Sequence, residues 1–373
     1  MKEGSSEAVG TFELPVVDFA PFSSASNGAE SPSPEQQSVA NAIDNACRTH
    51  GFVCLRNTGI ARQALATTFD ASQNLFGMTH ELKAGLKQLD PIANIGYNGL
   101  GSEALNRRRA ADLKEVFNVR QPDSNPDLFQ GTPPGFQEAS TQFWEQITLL
   151  SQQFSKCCAV ALGLDLDYFS KTMTKMDLCT LRMLCYPPCP TTDSDAKDPS
   201  SSIRVGEHTD FGAYTFLFVH NLQDKSSHGL QVKPIEGGDL GCGSLVNRSD
   251  DMFISGWKDV IFDEATLAEM AQDDSCSVLV NTGALMARWT NDVWRATAHR
   301  VIVKPEARNS YRYSIAVFFD PDKETICSVH PKFVPQGQQP KYPPIQSLEY
   351  LLMKLREAQG AANENDNKGS GNE

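Results

Sequence analysis

The chain has 373 residues, of which 40% are hydrophobic and 21% are charged, a composition typical of a globular protein rather than a fibrous or disordered one. Its formal net charge of −13 argues against a nucleic-acid partner, because an acidic protein is repelled by phosphate. No apolar run approaches the roughly 20 residues of a membrane-spanning helix, and the N-terminus has no signal-peptide core. We therefore expect a cytoplasmic monomer without a membrane partner, whose ten cysteines are reduced thiols.

The N-terminal half is predicted to alternate short strands with helices. Residues 14–19 form an edge-strand pattern, residues 34–49 have apolar side chains at helical spacing, and residues 52–55 are a short buried strand. A second helical region covers 61–87, and the longest helical pattern runs from 136 to 162.

From residue 178 onward the pattern changes to short runs of β-branched and aromatic residues. These runs are at 180–186, 213–219, 229–233, 277–281, 299–303 and 311–319. Many short strands separated by turns are typical of a β-sandwich or barrel. Two polar insertions, at 191–202 and 236–251, are predicted to be solvent-exposed loops.

One histidine pair and one aspartate have the spacing of a metal site. His208 and Asp210 are separated by one residue, and His299 follows 89 residues after Asp210 (299 − 210). Residues two apart in a strand point to the same face, so His208 and Asp210 could share one metal ion. Two imidazoles and one carboxylate suit Fe(II) and leave the opposite side of the ion open. The sequence therefore predicts a catalytic facial triad of these three residues.

Two alternative roles for the same residues stay open. Taken singly, His208 and His299 could be ordinary, partly buried histidines. Zinc hydrolases also combine histidines with a carboxylate, although the helical His-x-x-x-His with a nearby glutamate that typifies many of them is absent from this sequence.

Arg312 and Ser314 lie two residues apart in a run that is apolar on both faces. An arginine inside such a strand is costly unless it meets an anion, and a guanidinium can bind a carboxylate through two parallel hydrogen bonds. A structural ion pair is the alternative, but next to a metal triad the pair predicts a site for the far carboxylate of 2-oxoglutarate. Tyr186, which precedes a proline-rich turn, could reach the same carboxylate or could be an aromatic at the rim of a barrel.

These segments, in this order, resemble the isopenicillin-N-synthase-like group of 2-oxoglutarate/Fe(II)-dependent dioxygenases over most of residues 14–331. The matching motifs are LPVVD at 14–18, GFVCLRNTGI at 51–60, DLKE at 112–115, YPPCP at 186–190, GEHTDFG at 206–212, GLQV at 229–232, RWTND at 288–292, HRV at 299–301 and RYSIA at 312–316.

The resemblance implies a mainly β fold with surrounding helices and a double-stranded β-helix (jelly-roll) core. It also implies Fe(II) at His208, Asp210 and His299, and 2-oxoglutarate at Arg312 and Ser314 with Tyr186 as a supporting contact. The other implied participants are O₂, ascorbate as a candidate reductant, and a small-molecule substrate. The implied reaction is hydroxylation, desaturation or oxidative cyclisation at a C–H bond, in natural-product biosynthesis.

On this basis we expect six regions along the chain. They are a disordered tail (1–11), an N-terminal dioxygenase region (12–125), linking helices (126–177), the jelly-roll domain (178–335), a C-terminal helix (336–356) and a second disordered tail (357–373).

The sequence departs from the family pattern at several positions. Thr58 replaces a usual histidine, and Ala284 replaces the acidic residue of the family's N-I-G-D segment. Leu184 and Cys185 stand where an asparagine often precedes the tyrosine, and the interval between Asp210 and His299 is longer than usual. None of these changes removes a predicted iron ligand.

Two further functions stay open on the sequence alone: an Fe(II)/O₂ oxidase that does not use 2-oxoglutarate, and a non-catalytic binder of small molecules. The substrate is not identified. The basic run 107–109 could bind a substrate carboxylate or be a solvated turn. Four phenylalanines could line an apolar pocket or pack in the core, namely Phe117, Phe216, Phe218 and Phe318.

Overall fold

The computed structural model describes residues 10–24, 31–86, 88–90, 95–102, 112–189, 203–220, 222, 229–233 and 256–360. The strands in these residues are β1 (Gly10–Glu13), β2 (Val16–Asp18), β3 (Phe52–Arg56), β4 (Gln88–Asp90), β5 (Ile95–Asn98), β6 (Glu115–Val119), β7 (Thr180–Tyr186), β8 (Ile203–His208), β9 (Tyr214–Val219), β10 (Leu230–Val232), β11 (Lys258–Ile261), β12 (Val278–Thr282), β13 (His299–Ile302), β14 (Arg312–Phe319), β15 (Ile326–Cys327) and β16 (Ile345–Gln346). The helices are α1 (Ala20–Ser23), α2 (Pro34–Thr49), α3 (Arg62–Phe76), α4 (His80–Ala84), α5 (Phe136–Leu162), α6 (Glu264–Gln272), α7 (Ala284–Trp289) and α8 (Ser347–Gly360).

Two large sheets form the core of the fold, and from β7 to β14 successive strands alternate between them except for β10 and β11, which both belong to the smaller sheet. The smaller sheet has the order β1-β11-β10-β13-β8, and the larger has the order β2-β3-β12-β9-β14-β7-β6-β5-β4. From β7 to β14 the chain therefore passes repeatedly from one sheet to the other, which is the arrangement of a double-stranded β-helix. The predicted mainly β fold with a jelly-roll core is confirmed.

The N-terminal strands extend both sheets. β1 pairs in parallel with β11 of the smaller sheet, and β2 and β3 join the larger sheet next to β12. On its other side, β6 pairs antiparallel with β7. Segments that are distant in sequence are thus hydrogen-bonded within the same sheets. The division of the chain into six regions stays a prediction.

Buried side chains fill two layers. Between the sheets, residues of both sheets form apolar clusters that include Leu184 and Ala316 from the larger sheet and Val205 and Val301 from the smaller one. The outer face of the larger sheet packs against the helices in a second, larger cluster. Phe117, Phe216 and Phe218 belong to this second cluster, so they are core residues and do not line a pocket between the sheets.

The two longest helices begin and end at residues that the local sequence explains. At the start of α2, Ser33 and Gln36 form a capping box, and Pro34 occupies the first turn, where its missing N–H is not needed. Helix α5 ends at Gly163, whose φ of 60° lies in the left-handed region that favours glycine. Both helices have the bounds that the apolar spacing predicted.

Other predictions of elements were incomplete or wrong. The helical region 61–87 is two helices, α3 and α4, separated at Gly77. The C-terminal helix begins at Ser347 and not at residue 336, because Pro343 and Pro344 are incompatible with a helix interior. It continues to Gly360, so the first residues of the predicted C-terminal tail are helical. Likewise, β1 includes Gly10 and Thr11, which fall within the predicted N-terminal tail.

Several predicted features lie outside the described residues. They are positions 1–9 and 361–373 of the two tails, the insertions 191–202 and 236–251, and the basic run 107–109. Among the described residues, no helix combines the length and apolar character needed to cross a membrane. The cysteines in the same residues form no disulfide, and all but Cys189 are buried.

A buried ion pair between α4 and β6 provides a test of the packing. Lys83 Nζ lies 2.8 Å from Glu115 Oε2, with side chains 11% and 12% exposed. We expect Lys83→Met to lower the free energy of unfolding by about 3–5 kcal/mol, because the Glu115 carboxylate would stay buried without its partner. The control is Lys175→Met, which breaks an exposed pair with Glu324 and should leave the free energy of unfolding almost unchanged. Urea unfolding measures both, and equal losses would contradict the structural role of the buried pair.

Candidate metal centre

The ends of two neighbouring strands bring the predicted histidines together. His208 is the last residue of β8, His299 is the first residue of β13, and the two are directly paired in the antiparallel register. Their ring centroids are 4.2 Å apart. Asp210 Oδ1 lies 3.7 Å from His208 Nε2 and 3.8 Å from His299 Nε2. One ligand atom from each residue thus falls within 4.8 Å of the others, a separation that one metal ion can bridge.

Irregular pairing of β8 orients His208. Between the pairs His299–His208 and Val301–Val205, β8 advances three residues while β13 advances two. The extra residue is a β-bulge, a feature that often redirects a side chain next to an active site. Because of it, Val205 and His208 can both face β13 partners although they are an odd number of residues apart.

Asp210 lies two residues beyond β8 and not on the strand that the His-x-Asp spacing predicted. The strand ends at His208 because its partner β13 begins at His299. After this point the main chain turns, and the carbonyl oxygen of Asp210 accepts a hydrogen bond from the Ala284 N–H at 2.8 Å. The aspartate reaches the histidines from this turn, and the predicted cluster is preserved.

Two donors that the sequence analysis missed hold the Asp210 carboxylate. The Thr215 hydroxyl and the Asn281 side-chain amide both donate to Oδ2, at 2.6 and 2.7 Å. Thr215 on β9 and Asn281 on β12 are directly paired across the larger sheet. Since these bonds occupy Oδ2, the carboxylate presents Oδ1 towards the histidines. The only sequence signal for either residue is a polar side chain inside an otherwise apolar strand.

Glycines allow the backbone to pack closely at this turn. A Cβ atom on Gly283 would overlap the carbonyl oxygen of Gly212 and closely approach that of Asp210. A larger residue at position 283 would therefore displace the turn that contains Asp210. This contact links the start of α7 to the turn that carries the aspartate.

Contacts at Nδ1 orient both imidazoles so that Nε2 is directed at Asp210. His208 Nδ1 lies 2.8 Å from the carbonyl oxygen of Gly206, and His299 Nδ1 lies 3.2 Å from that of Thr297. Donation from Nδ1 leaves the Nε2 lone pair for a metal. Burial and the neighbouring His299 lower the pKa of His208. Burial alone would raise the pKa of Asp210, but the two histidines and the bonds from its hydrogen-bond donors keep this pKa below its usual value.

A second, buried ion pair supports β8 beside the histidine. Lys114 Nζ lies 2.6 Å from Asp112 Oδ2, and both side chains are buried. Asp112 Oδ1 accepts a hydrogen bond from the Gly206 N–H at 3.3 Å. In the described part of the smaller sheet β8 is the edge strand. The Asp112 carboxylate therefore accepts a hydrogen bond from an edge N–H that no described strand pairs with.

The predicted clamp residues also come together. Arg312 and Tyr186 are directly paired between β14 and β7, and the guanidinium carbon lies 4.9 Å from the tyrosine ring centroid. Arg312 Nη1 donates to the Ser314 hydroxyl at 3.3 Å, and both residues are buried. Burial lowers the pKa of Arg312, although the neighbouring tyrosine opposes this shift. A buried cation next to two hydroxyl groups has the donors that a carboxylate ligand needs.

Comparisons with known proteins agree with this geometry. The family model described as non-haem dioxygenase in morphine synthesis N-terminal matches residues 14–139. A 2-oxoglutarate-Fe(II) type oxidoreductase of Emericella nidulans is 27% identical over 364 residues, which are 93% of this chain and 91% of that protein. A 2-oxoglutarate-dependent dioxygenase of a Dothideomycetidae species is 26% identical over 329 residues, 82% of this chain and 87% of that protein.

The fold is also found among solved structures. A full-length Neurospora crassa protein, crystallised in complex with alpha-KG, matches with a TM-score of 0.71 and 27% identity, over 94% of this chain and 99% of that chain. Because relatives of one kind match nearly the whole chain in both sequence and fold, this chain is an oxidoreductase of the 2-oxoglutarate/Fe(II)-dependent dioxygenase type, and it is similar to the isopenicillin-N-synthase-like group.

Proposed function

We propose that His208, Asp210 and His299 hold the Fe(II) ion of this enzyme. The observation that carries the proposal is their convergence: two Nε2 atoms and one carboxylate oxygen within 4.8 Å of one another, on strand ends between the two sheets. Two imidazoles and one carboxylate are the donor set of non-haem Fe(II) oxygenases. Zinc is the less suitable ion, since its catalytic sites are typically built on other motifs that this chain lacks.

The proposal extends to the cosubstrate. Arg312 would bind the far carboxylate of 2-oxoglutarate through its guanidinium, with Ser314 as an additional donor and Tyr186 as a supporting contact. Bound Fe(II) supplies the chemistry: with O₂ it converts 2-oxoglutarate to succinate and CO₂ and oxidises a C–H bond of the substrate. The residues of the chain hold each reactant in place and exclude water, since most of their polar atoms are already buried.

We further propose that the substrate is a small molecule of natural-product metabolism, hydroxylated, desaturated or cyclised at this site. The two fungal relatives support this proposal, because they are named as an oxidoreductase of the 2-oxoglutarate-Fe(II) type and a 2-oxoglutarate-dependent dioxygenase. The net charge of −13 supports the absence of a nucleic-acid partner, and we propose a cytoplasmic location. We propose that the enzyme acts as a monomer. Ascorbate is its candidate reductant.

Removal of a triad residue is the first test. We expect Asp210→Ala and His299→Ala to abolish tight Fe(II) binding and, with it, formation of succinate from 2-oxoglutarate. Anaerobic Fe(II) titration and a succinate assay measure the two effects. His220→Ala is the matched control, because this histidine contacts Phe69 with ring centroids 5.1 Å apart and is not part of the cluster. Succinate formation that survives in both triad variants would contradict the iron assignment.

The donors to Asp210 give a second prediction. We expect Asn281→Ala and Thr215→Val each to weaken Fe(II) binding by about 10–100-fold, because the carboxylate would lose a bond that orients it. Thr68→Val is the control, since in the described part of the chain this hydroxyl bonds within α3, to the Ala64 carbonyl oxygen. Dissociation constants for Fe(II) that stay at the wild-type value in both test variants would show that the donors do not position the ligand.

Loss of the clamp is a third test. We expect Arg312→Gln to raise the KM for 2-oxoglutarate on the order of 30-fold or more, because a buried charge that pairs with the ligand is removed. Affinity for Fe(II) should stay unchanged. Arg182→Gln is the control; Arg182 is on the neighbouring strand β7 and donates to Asn118.

The same assay separates the rival function. A wild-type KM for Arg312→Gln would contradict the clamp. If the wild-type enzyme turns over without 2-oxoglutarate and forms no succinate, it is instead an oxidase that uses Fe(II) and O₂ alone.

A further inference from the structure

A second buried arginine lies near the clamp and was not expected from the sequence. Arg204, the second residue of β8, is 3% exposed. Among the described residues it forms no ion pair. Its Nη2 donates to the carbonyl oxygens of Ser310 at 3.1 Å and Pro187 at 3.5 Å, and its buried Nε has no hydrogen-bond partner in the same residues. A guanidinium buried away from carboxylates is unfavourable on its own, so the position suits an anionic ligand.

Arg204 and Arg312 approach the same aromatic ring. Their guanidinium carbons lie 5.9 and 4.9 Å from the ring centroid of Tyr186. Burial and the positive charge of Arg312 lower the pKa of Arg204 to about 10. Both side chains are cations at neutral pH, because a guanidinium keeps its proton in proteins. The side chain of Tyr186, at the end of β7, therefore lies near two positive charges, those of Arg204 and Arg312.

Strand β8 links this cationic region to the metal centre. His208 is its last residue and Arg204 is four residues earlier, at most about 13 Å along an extended strand. A ligand that binds the metal with one end and a cation with the other would lie along this strand. In the proposed function 2-oxoglutarate is that ligand, and the role of Arg204 inferred below rests on that function.

We propose that Arg204 is a second cation of the 2-oxoglutarate pocket, which acts with Arg312 on the far carboxylate and makes the pocket selective for 2-oxo acids that carry a second carboxylate. Arg312 supplies the directed hydrogen bonds. Arg204 supplies charge, and it restrains the ring of Tyr186 by a cation–π contact.

A purely structural role makes a different prediction. Arg204 also joins two turns through its bonds to Pro187 and Ser310. If this were its only role, its removal would loosen the pocket for every ligand equally. A pair of ligands that differ only in the far carboxylate separates the two roles.

The test compares 2-oxoglutarate with 2-oxopentanoate, which has the same carbon chain but no second carboxylate. Dissociation constants come from anaerobic titration of the Fe(II)-loaded enzyme, followed by its visible charge-transfer band. For Arg204→Met we expect the constant for 2-oxoglutarate to rise about tenfold, since one charge near the carboxylate is lost. The constant for 2-oxopentanoate should stay within about twofold of the wild-type value.

Two controls accompany this variant. Arg204→Lys keeps the charge and should keep most of the preference for the dicarboxylate. Arg288→Met removes another arginine that stacks on tyrosine, with its guanidinium carbon 4.9 Å from the Tyr342 ring centroid, and should change neither constant.

A second measurement does not depend on the folding of Arg204→Met. In Arg312→Met the remaining preference for 2-oxoglutarate over 2-oxopentanoate reports on Arg204, and we expect about a tenfold preference to persist. Equal constants for the two ligands in Arg312→Met, or equal weakening of both ligands in Arg204→Met, would overturn the inference while leaving the proposed function intact. No charge-transfer band in the wild-type enzyme would overturn the proposed function and the inference with it.

Discussion

The pairing of His208 with His299 is the contact on which the candidate metal centre depends. It joins the last residue of β8 to the first residue of β13, so a shift of either strand by one residue would separate the two imidazoles. β13 is held on both sides, by β10 and β8. β8 is bonded to β13 on one side only in the described residues, and there the carboxylate of Asp112 binds its Gly206 N–H. The less supported of the two strands is thus fixed by a buried ion pair rather than by another strand.

Near these strand ends several charged side chains are buried, and the carboxylates of Asp112 and Asp210 have defined partners. Asp210 receives bonds from two side chains, and Asp112 is bonded to Lys114. In a medium of low dielectric such contacts are strong, but an unpaired charge is costly. The buried cation Arg204 differs from these pairs, because in the described residues it contacts an aromatic ring and main-chain carbonyls and forms no ion pair. This contrast distinguishes groups that complete the fold from groups suited to bind an anion.

Much of the fold and part of the site could be predicted from the sequence, and the limits have physical reasons. Helical spacing and capping residues are local, so α2 and α5 were predicted with their observed bounds. β8 was predicted only at its His208 end, from the spacing to Asp210, because Ile203 and Val205 are its only large apolar residues. The roles of Thr215 and Asn281 depend on the register between β9 and β12, which no local pattern specifies. The position of Arg204 near Arg312 likewise depends on how three strands are arranged.

The departures from the family's usual motifs can be understood from the same contacts. At Ala284 the missing acidic side chain removes no bond to Asp210, because this position acts through its main-chain N–H. A side-chain bond to Asp210 comes from Asn281, three residues earlier, which keeps the identity usual in the family motif. Thr58, in place of histidine, is buried and donates to the carbonyl oxygen of Cys276 at 2.6 Å, so it still ties β3 to the segment before β12. Substitutions are therefore compatible with the site wherever the backbone, or a smaller polar group, makes the essential contact.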